Sequence, residues 1–134
     1  MSQPNFQLTC DHLSRSVDDT QFERFRWDRD EAPKLARLIE LVTGAFDDRR
    51  DIELVEEGGS SGFKRYVLKV HSQRTIAIAV MLKDGFAVLG AEPLDRSPFT
   101  VARGDPISTQ FDNVDEAWIA GALQNIISRI GKAH

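Results

Sequence analysis

Between Tyr66 and Ala91 the chain encodes a strand pair that is apolar on both faces. The run Thr75-Ile76-Ala77-Ile78-Ala79-Val80-Met81-Leu82 carries no charge, and Asp84-Gly85 then leads into Phe86-Ala87-Val88-Leu89-Gly90-Ala91. Asp-Gly between apolar runs is a strong signal for a two-residue hairpin turn. An antiparallel sheet with one wet face alternates polar and apolar residues. These strands do not, so their second face calls for a cover: more of the chain, a partner molecule or a ligand.

The preceding strand, Phe63 to Val70, does alternate, with Tyr66, Leu68 and Val70 on one face and Arg65, Val67 and Lys69 on the other. Loop parity decides which of these meet the next strand, because a one-residue slip exchanges the faces. A two-residue loop at Ser72-Gln73 sets Tyr66 and Leu68 beside Ala79 and Ala77; a three-residue loop sets them beside Ile78 and Ile76. The odd loop is expected, since it gathers the large side chains into one core. The other face then holds Val67, Ala77, Ala79, Met81, Phe86 and Val88, with Arg65 and Lys69 at its margin. That face reads as a docking surface.

Helices are expected on either side of the strands. Asp30-Glu31-Ala32-Pro33 offers an N-cap carboxylate and a first-turn proline, and Leu35, Leu38, Ile39, Val42 and Phe46 follow at helical spacing, giving a helix over about 31–46. A short strand at Ile52 to Val55 comes next. Gly58-Gly59-Ser60-Ser61-Gly62 then reads as a flexible connection. Prolines 93, 98 and 106 confine the strand candidates Phe99 to Arg103 and Ile107 to Phe111 to a sheet edge. Asn113 and Glu116 suggest a capping box for a helix over about 114–130, packed through Trp118, Ala122, Ile126 and Ile130, with Gly131 as its C′ residue.

The order defines a two-layer α+β domain over residues 30–131, with an antiparallel sheet of four to six strands flanked by an N-terminal and a C-terminal helix. Residues 1–29 are the hardest to assign. Phe6, Leu8, Leu13 and Val17 stand scattered among polar residues, and Phe22 to Trp27 suits either a strand or a short helix capped by Asp18 or Asp19. Three aromatics there favour docking on the domain. Trp27 lies between Arg26 and Asp28, and aromatics with arginine are enriched where proteins bind, so Arg24, Phe25 and Trp27 are interface candidates.

Composition narrows the function classes. A chain of 134 residues supports one core. Net charge is −4 and the 17 basic residues are dispersed, whereas nucleic-acid binding needs them concentrated. The single cysteine, Cys10, rules out an intrachain disulfide framework and fits a reducing, cytoplasmic setting. The longest apolar run falls well short of the roughly 20 residues that cross a bilayer as a helix. No nucleic acid and no membrane are expected as partners.

Chemical motifs are weak. Cys10-Asp11-His12 lacks the four ligands and the spacing of a zinc site. Gly58 to Arg65 lacks the Gly-Lys-Ser/Thr closure of a phosphate loop and leads into a strand. The acid pairs Asp18-Asp19, Asp47-Asp48, Glu56-Glu57 and Asp115-Glu116 lie at loops and helix starts, where carboxylates are common anyway. Ser97-Pro98 reads as a turn. No catalytic, metal or cofactor residue is expected. The chain reads as a non-enzymatic protein–protein interaction module of the adaptor, chaperone-like or inhibitor type, bound to a protein partner or to a second copy of itself. The alternative is a carrier or sensor of a hydrophobic small molecule, with its cavity between sheet and C-terminal helix.

Overall fold

A computed structural model of the chain describes residues 4–60 and 62–132. Helices α1 (Pro4–Val17), α2 (Asp19–Arg26) and α3 (Ala32–Gly44) come first. Strands β1 (Ile52–Ser60), β2 (Phe63–Val70), β3 (Gln73–Lys83), β4 (Phe86–Pro93), β5 (Phe99–Val101) and β6 (Ile107–Gln110) follow, then α4 (Glu116–Ser128) and β7 (Ile130–Lys132). Five strands form one antiparallel sheet in the order β1-β2-β3-β4-β6, and β5 pairs with β7 in a separate ribbon. The chain is thus α+β, and it divides into two compact units, one ending at Pro33 and the next beginning at Lys34.

The central sheet has the expected faces but reaches them by another route. Tyr66 lies opposite Ile78 and Leu68 opposite Ile76, while Val67 faces Ala77. The connection is nevertheless a two-residue turn, not a three-residue one, since Val70 pairs with Gln73. His71 and Ser72 are both left-handed, at φ 49° and 67°, as a type I′ turn requires. The missing residue is supplied by a bulge in β3 at Thr75, between the Lys69–Arg74 and Leu68–Ile76 pairs. Thr75 is the one buried polar side chain among the described residues, and its hydroxyl donates to the Leu68 carbonyl at 2.7 Å. At the other end of β3, Asp84-Gly85 makes the two-residue turn, with Lys83 opposite Phe86.

Gly58 and Gly59 correct a further expectation. They lie inside β1, not in a loose connection: Glu57 and Gly58 stand opposite Arg65 alone as a second bulge, and Gly59 pairs with Lys64 just beyond it. Gly59 has φ +125°, and a methyl group there would sit 2.7 Å from the Phe63 carbonyl oxygen, so only glycine fits. Ser61, assigned to that connection, lies outside the described residues.

The second unit's core combines Leu35, Leu38 and Val42 of α3 with Ile119, Ala122, Leu123 and Ile126 of α4 and the large-residue face of the sheet. Helix α4 differs in detail from its expected form. Asp115, not Asn113, is its N-cap and accepts from the Trp118 amide at 2.8 Å. The buried stripe is centred on Ile119, leaving Trp118 half-buried. The helix ends at Ser128 because the next residues are captured as a strand: Ile130 pairs with Val101, and the Ala102 amide donates to the Arg129 carbonyl at 2.8 Å. Gly131 is therefore a strand residue, not a C′ cap.

Among its described residues the first unit is helical on both sides of Asp18, which excludes the strand reading of Phe22 to Trp27. Asp18 caps α2 by accepting from the Gln21 amide at 3.1 Å. The expected cap at Asp30 does not form, because a π-helical turn, Trp27–Glu31, carries the helical backbone into α3. Pro33 has no amide hydrogen to bond back one α-turn, and the ladder widens just before it, with the Ala32 amide reaching Trp27. Of the three aromatics, Phe22 is buried and Trp27 half-buried, but Phe25 is 51% exposed.

Two predictions follow from the sheet. Thr75→Val removes a hydrogen bond made out of contact with water and should cost about 1–2 kcal/mol in urea unfolding. A change within a few tenths, about the error of the method, would show that the hydroxyl does not hold the bulge. The second concerns Asp51, whose carboxylate accepts from Arg49 at 2.9 and 2.6 Å. Those bonds hold its pKa down to about 2 from an ordinary 3.8. A depressed carboxyl stabilises the fold above its ordinary pKa, and that contribution fades as pH falls towards about 2. Arg49→Gln should return the Asp51 carboxyl to its ordinary range in an NMR titration and move acid unfolding to higher pH.

Candidate interaction surface

Helix α1 carries the most exposed apolar surface of the described residues. Phe6, Leu13 and Val17 are 62%, 66% and 78% exposed, and Cys10 is exposed as well. These positions are four, three and four residues apart, so they line one face of the helix. The opposite face meets α2 and the π-helical turn that follows it. There the Arg29 guanidinium grips Asp11 at 3.0 and 3.3 Å, and Arg15 reaches Glu23 at 3.1 Å while lying 4.7 Å over the Phe22 ring. The α1–α2 hairpin is thus closed largely by charged side chains, and its apolar stripe points away from its own partner. That inverts the usual arrangement, in which an amphipathic helix turns its apolar side inward.

The flanks of the stripe fit the same pattern. Asp11, His12 and Arg15 fall on the far side with Asn5 and Leu8, the latter 57% exposed, while the neighbours flanking the outward stripe (Gln7, Thr9, Ser14 and Ser16) are uncharged. Thr9 and Ser16 turn their hydroxyls back on their own helix, donating to the carbonyls of Asn5 at 2.8 Å and His12 at 2.9 Å. The outward face therefore holds no charge, and two of its polar groups are already satisfied.

The Arg24, Phe25 and Trp27 cluster splits up on α2 and the π-helical turn. Arg24 and Phe25 are exposed and Trp27 is half-buried. Arg29 lies 5.0 Å over the Phe25 ring. The hydrogen bonds that the Arg29 guanidinium donates to Asp30 and Asp11 hold it above its ordinary pKa, so it stays charged throughout.

The second face of the sheet is graded. Val67, Ala77 and Ala79 are buried, Met81 and Val88 half-buried, and Phe86 at the hairpin tip is 42% exposed. Part of the reason lies within the sheet. Arg65 on β2 and Glu92 on β4 join at 2.9 Å across the intervening strand, passing over Ala79 and Ala77, which sit opposite them. Small side chains leave room for that bridge. Towards the open end, Ala79, Met81, Val88 and Gly90 border a cleft of about 330 Å³ with Gly104 and Pro106. A second cleft of about 440 Å³ lies between α4 and the turn that follows α3, lined by Phe46, Ala120, Leu123 and Ile127 among others, with no charged side chain among the described residues.

The other sequence motifs have structural roles. Cys10, Asp11 and His12 follow one another on a helix and diverge by about 100° each, so they cannot converge on one ion. Asp18 and Asp115 are caps, Glu56 pairs with Lys64, and Glu57 binds Arg74, whose hydrogen bond lowers the Glu57 pKa. Ser97 donates to the Thr75 carbonyl at 2.8 Å and accepts from the Phe99 amide at 3.1 Å, which makes its segment a tied turn.

No protein-family model matches this chain, and neither a curated protein nor a solved structure does. The outward face of α1 was missed by sequence reasoning, although its four-three-four spacing was present there as a signal.

If the stripe belongs to a surface, replacing Leu13 by serine should change folding stability by no more than about 0.5 kcal/mol. A loss of about 2 kcal/mol or more in chemical denaturation would place Leu13 in the core instead.

Proposed function

We propose that this chain is a non-enzymatic protein–protein interaction module of the adaptor, chaperone-like or inhibitor type, working in the cytoplasm, where a lone exposed thiol persists. The observation that carries the reading is the uncharged apolar face of α1 turned away from α2. Apolar side chains left in water forgo roughly 25 cal/mol for each Å² they could bury, and contiguous patches of them mark binding sites. Phe25 with Arg24, and Met81, Phe86 and Val88 at the open end of the sheet, are further contact points. The carrier reading draws less support, because Ile119, Leu123 and Ile126, the inward side chains of α4, are 1%, 3% and 0% exposed and fill the core themselves.

Cys10 is a built-in reporter for this face, since a thiol reacts only where reagent reaches it. Its alkylation by N-ethylmaleimide should be roughly tenfold slower in a gel-filtered extract of cells making the protein than in the pure chain at nanomolar concentration. Leu13→Asp should abolish that protection. Equal rates in extract and in dilute solution would overturn the docking reading.

A further inference from the structure

We propose that the occupant of the outward face of α1 is a second copy of this chain, the two α1 helices packing antiparallel about a two-fold axis. The proposal rests on the docking reading above and deepens it by naming the partner. A two-fold contact brings a surface against itself, so the surface must complement its own image. The stripe on α1 does. Its spacing reads the same from either end, and an axis between positions 11 and 12 sets Phe6 against Val17 of the other copy and Cys10 against its Leu13. Larger meets smaller in both pairs. A parallel pairing sets Phe6 on Phe6 and Cys10 on Cys10, crowding one level and leaving a gap at the next, which close packing disfavours.

Charge and hydrogen bonding agree with this arrangement. Self-association doubles any net charge at the contact, and the outward face carries none. Thr9 and Ser16 are already bonded within their helix, which lowers the cost of taking them out of water. Antiparallel helices also set opposite dipole ends side by side. The contact is small, because a helix of 14 residues is only about 21 Å long. Such a patch lies at the low end of specific interfaces, so the dimer should be concentration-dependent, with a dissociation constant on the order of micromolar.

Sedimentation velocity of the full chain from about 1 to about 100 μM should show conversion of monomer to dimer. Leu13→Asp should remain monomeric throughout with an unchanged thermal midpoint, since Leu13 is solvent-exposed. Leu13→Cys sets a second thiol opposite Cys10 of the other copy. Mild oxidation should then yield covalent dimers joined between positions 10 and 13, identified by peptide mass mapping. A chain that stays monomeric, a dimer that Leu13→Asp leaves intact, or crosslinks joining position 10 to position 10 would each overturn the proposal. A monomeric chain whose Cys10 is still protected in extract leaves the docking reading standing and removes only the second copy. A Cys10 that reacts freely in both removes both.

Discussion

The sheet depends on a reconciliation at Thr75. The His71-Ser72 turn is tight and two residues long, and that turn by itself dictates a register in which Tyr66 and Leu68 face Ala77 and Thr75. The core demands Ile78 and Ile76 in those places. A single extra residue in β3 satisfies both, and the Thr75 hydroxyl bonded to Leu68 fixes it in place. From that point on, Ile76, Ile78, Val80 and Leu82 of β3 and Leu89 of β4 face the core, and Ala77 and Ala79 lie on the other side with Met81 and Val88. The bridge from Arg65 to Glu92 crosses where those alanines leave room for it. The graded second face, closed in the middle and open at Phe86, is a consequence of the same shift.

Much of this was legible in the sequence. Alternation assigned the faces, and Asp84-Gly85 identified its turn, because both signals are local and depend on only a few residues. What escaped reading was non-local or involved one extra residue. A bulge leaves the alternation on either side intact, so counting apolar residues cannot distinguish an odd loop from an even loop with a bulge. Gly58 and Gly59 looked like a connector because glycine serves loops and bulges equally well. The end of α4 was misplaced because Ile130 to Lys132 is drawn into a strand by β5, some thirty residues earlier.

Residues 4–31 were obscure for a more instructive reason. Sequence reading looks for apolar residues that a fold will bury, and α1 has them at helical spacing with no core of its own to receive them. The opposite, charged face is held instead: its Asp11 by Arg29 of the π-helical turn and its Arg15 by Glu23 of α2. A helix built outward resembles a disordered linker until the spacing is tested against a partner outside the hairpin. The same property makes it the chain's strongest candidate for recognition.

The margins of the sheet carry a consequence of their own. An unpaired strand edge is a template for uncontrolled growth by further strands. Here one margin is β1, whose paired glycines bend it out of flat register, and the other is β6, four residues long and preceded by Pro106. Neither offers a long flat row of free backbone groups. Fibre-like stacking through the sheet is discouraged at both margins, and the self-association proposed for α1 runs through a helix, whose contacts stop at a defined number of copies.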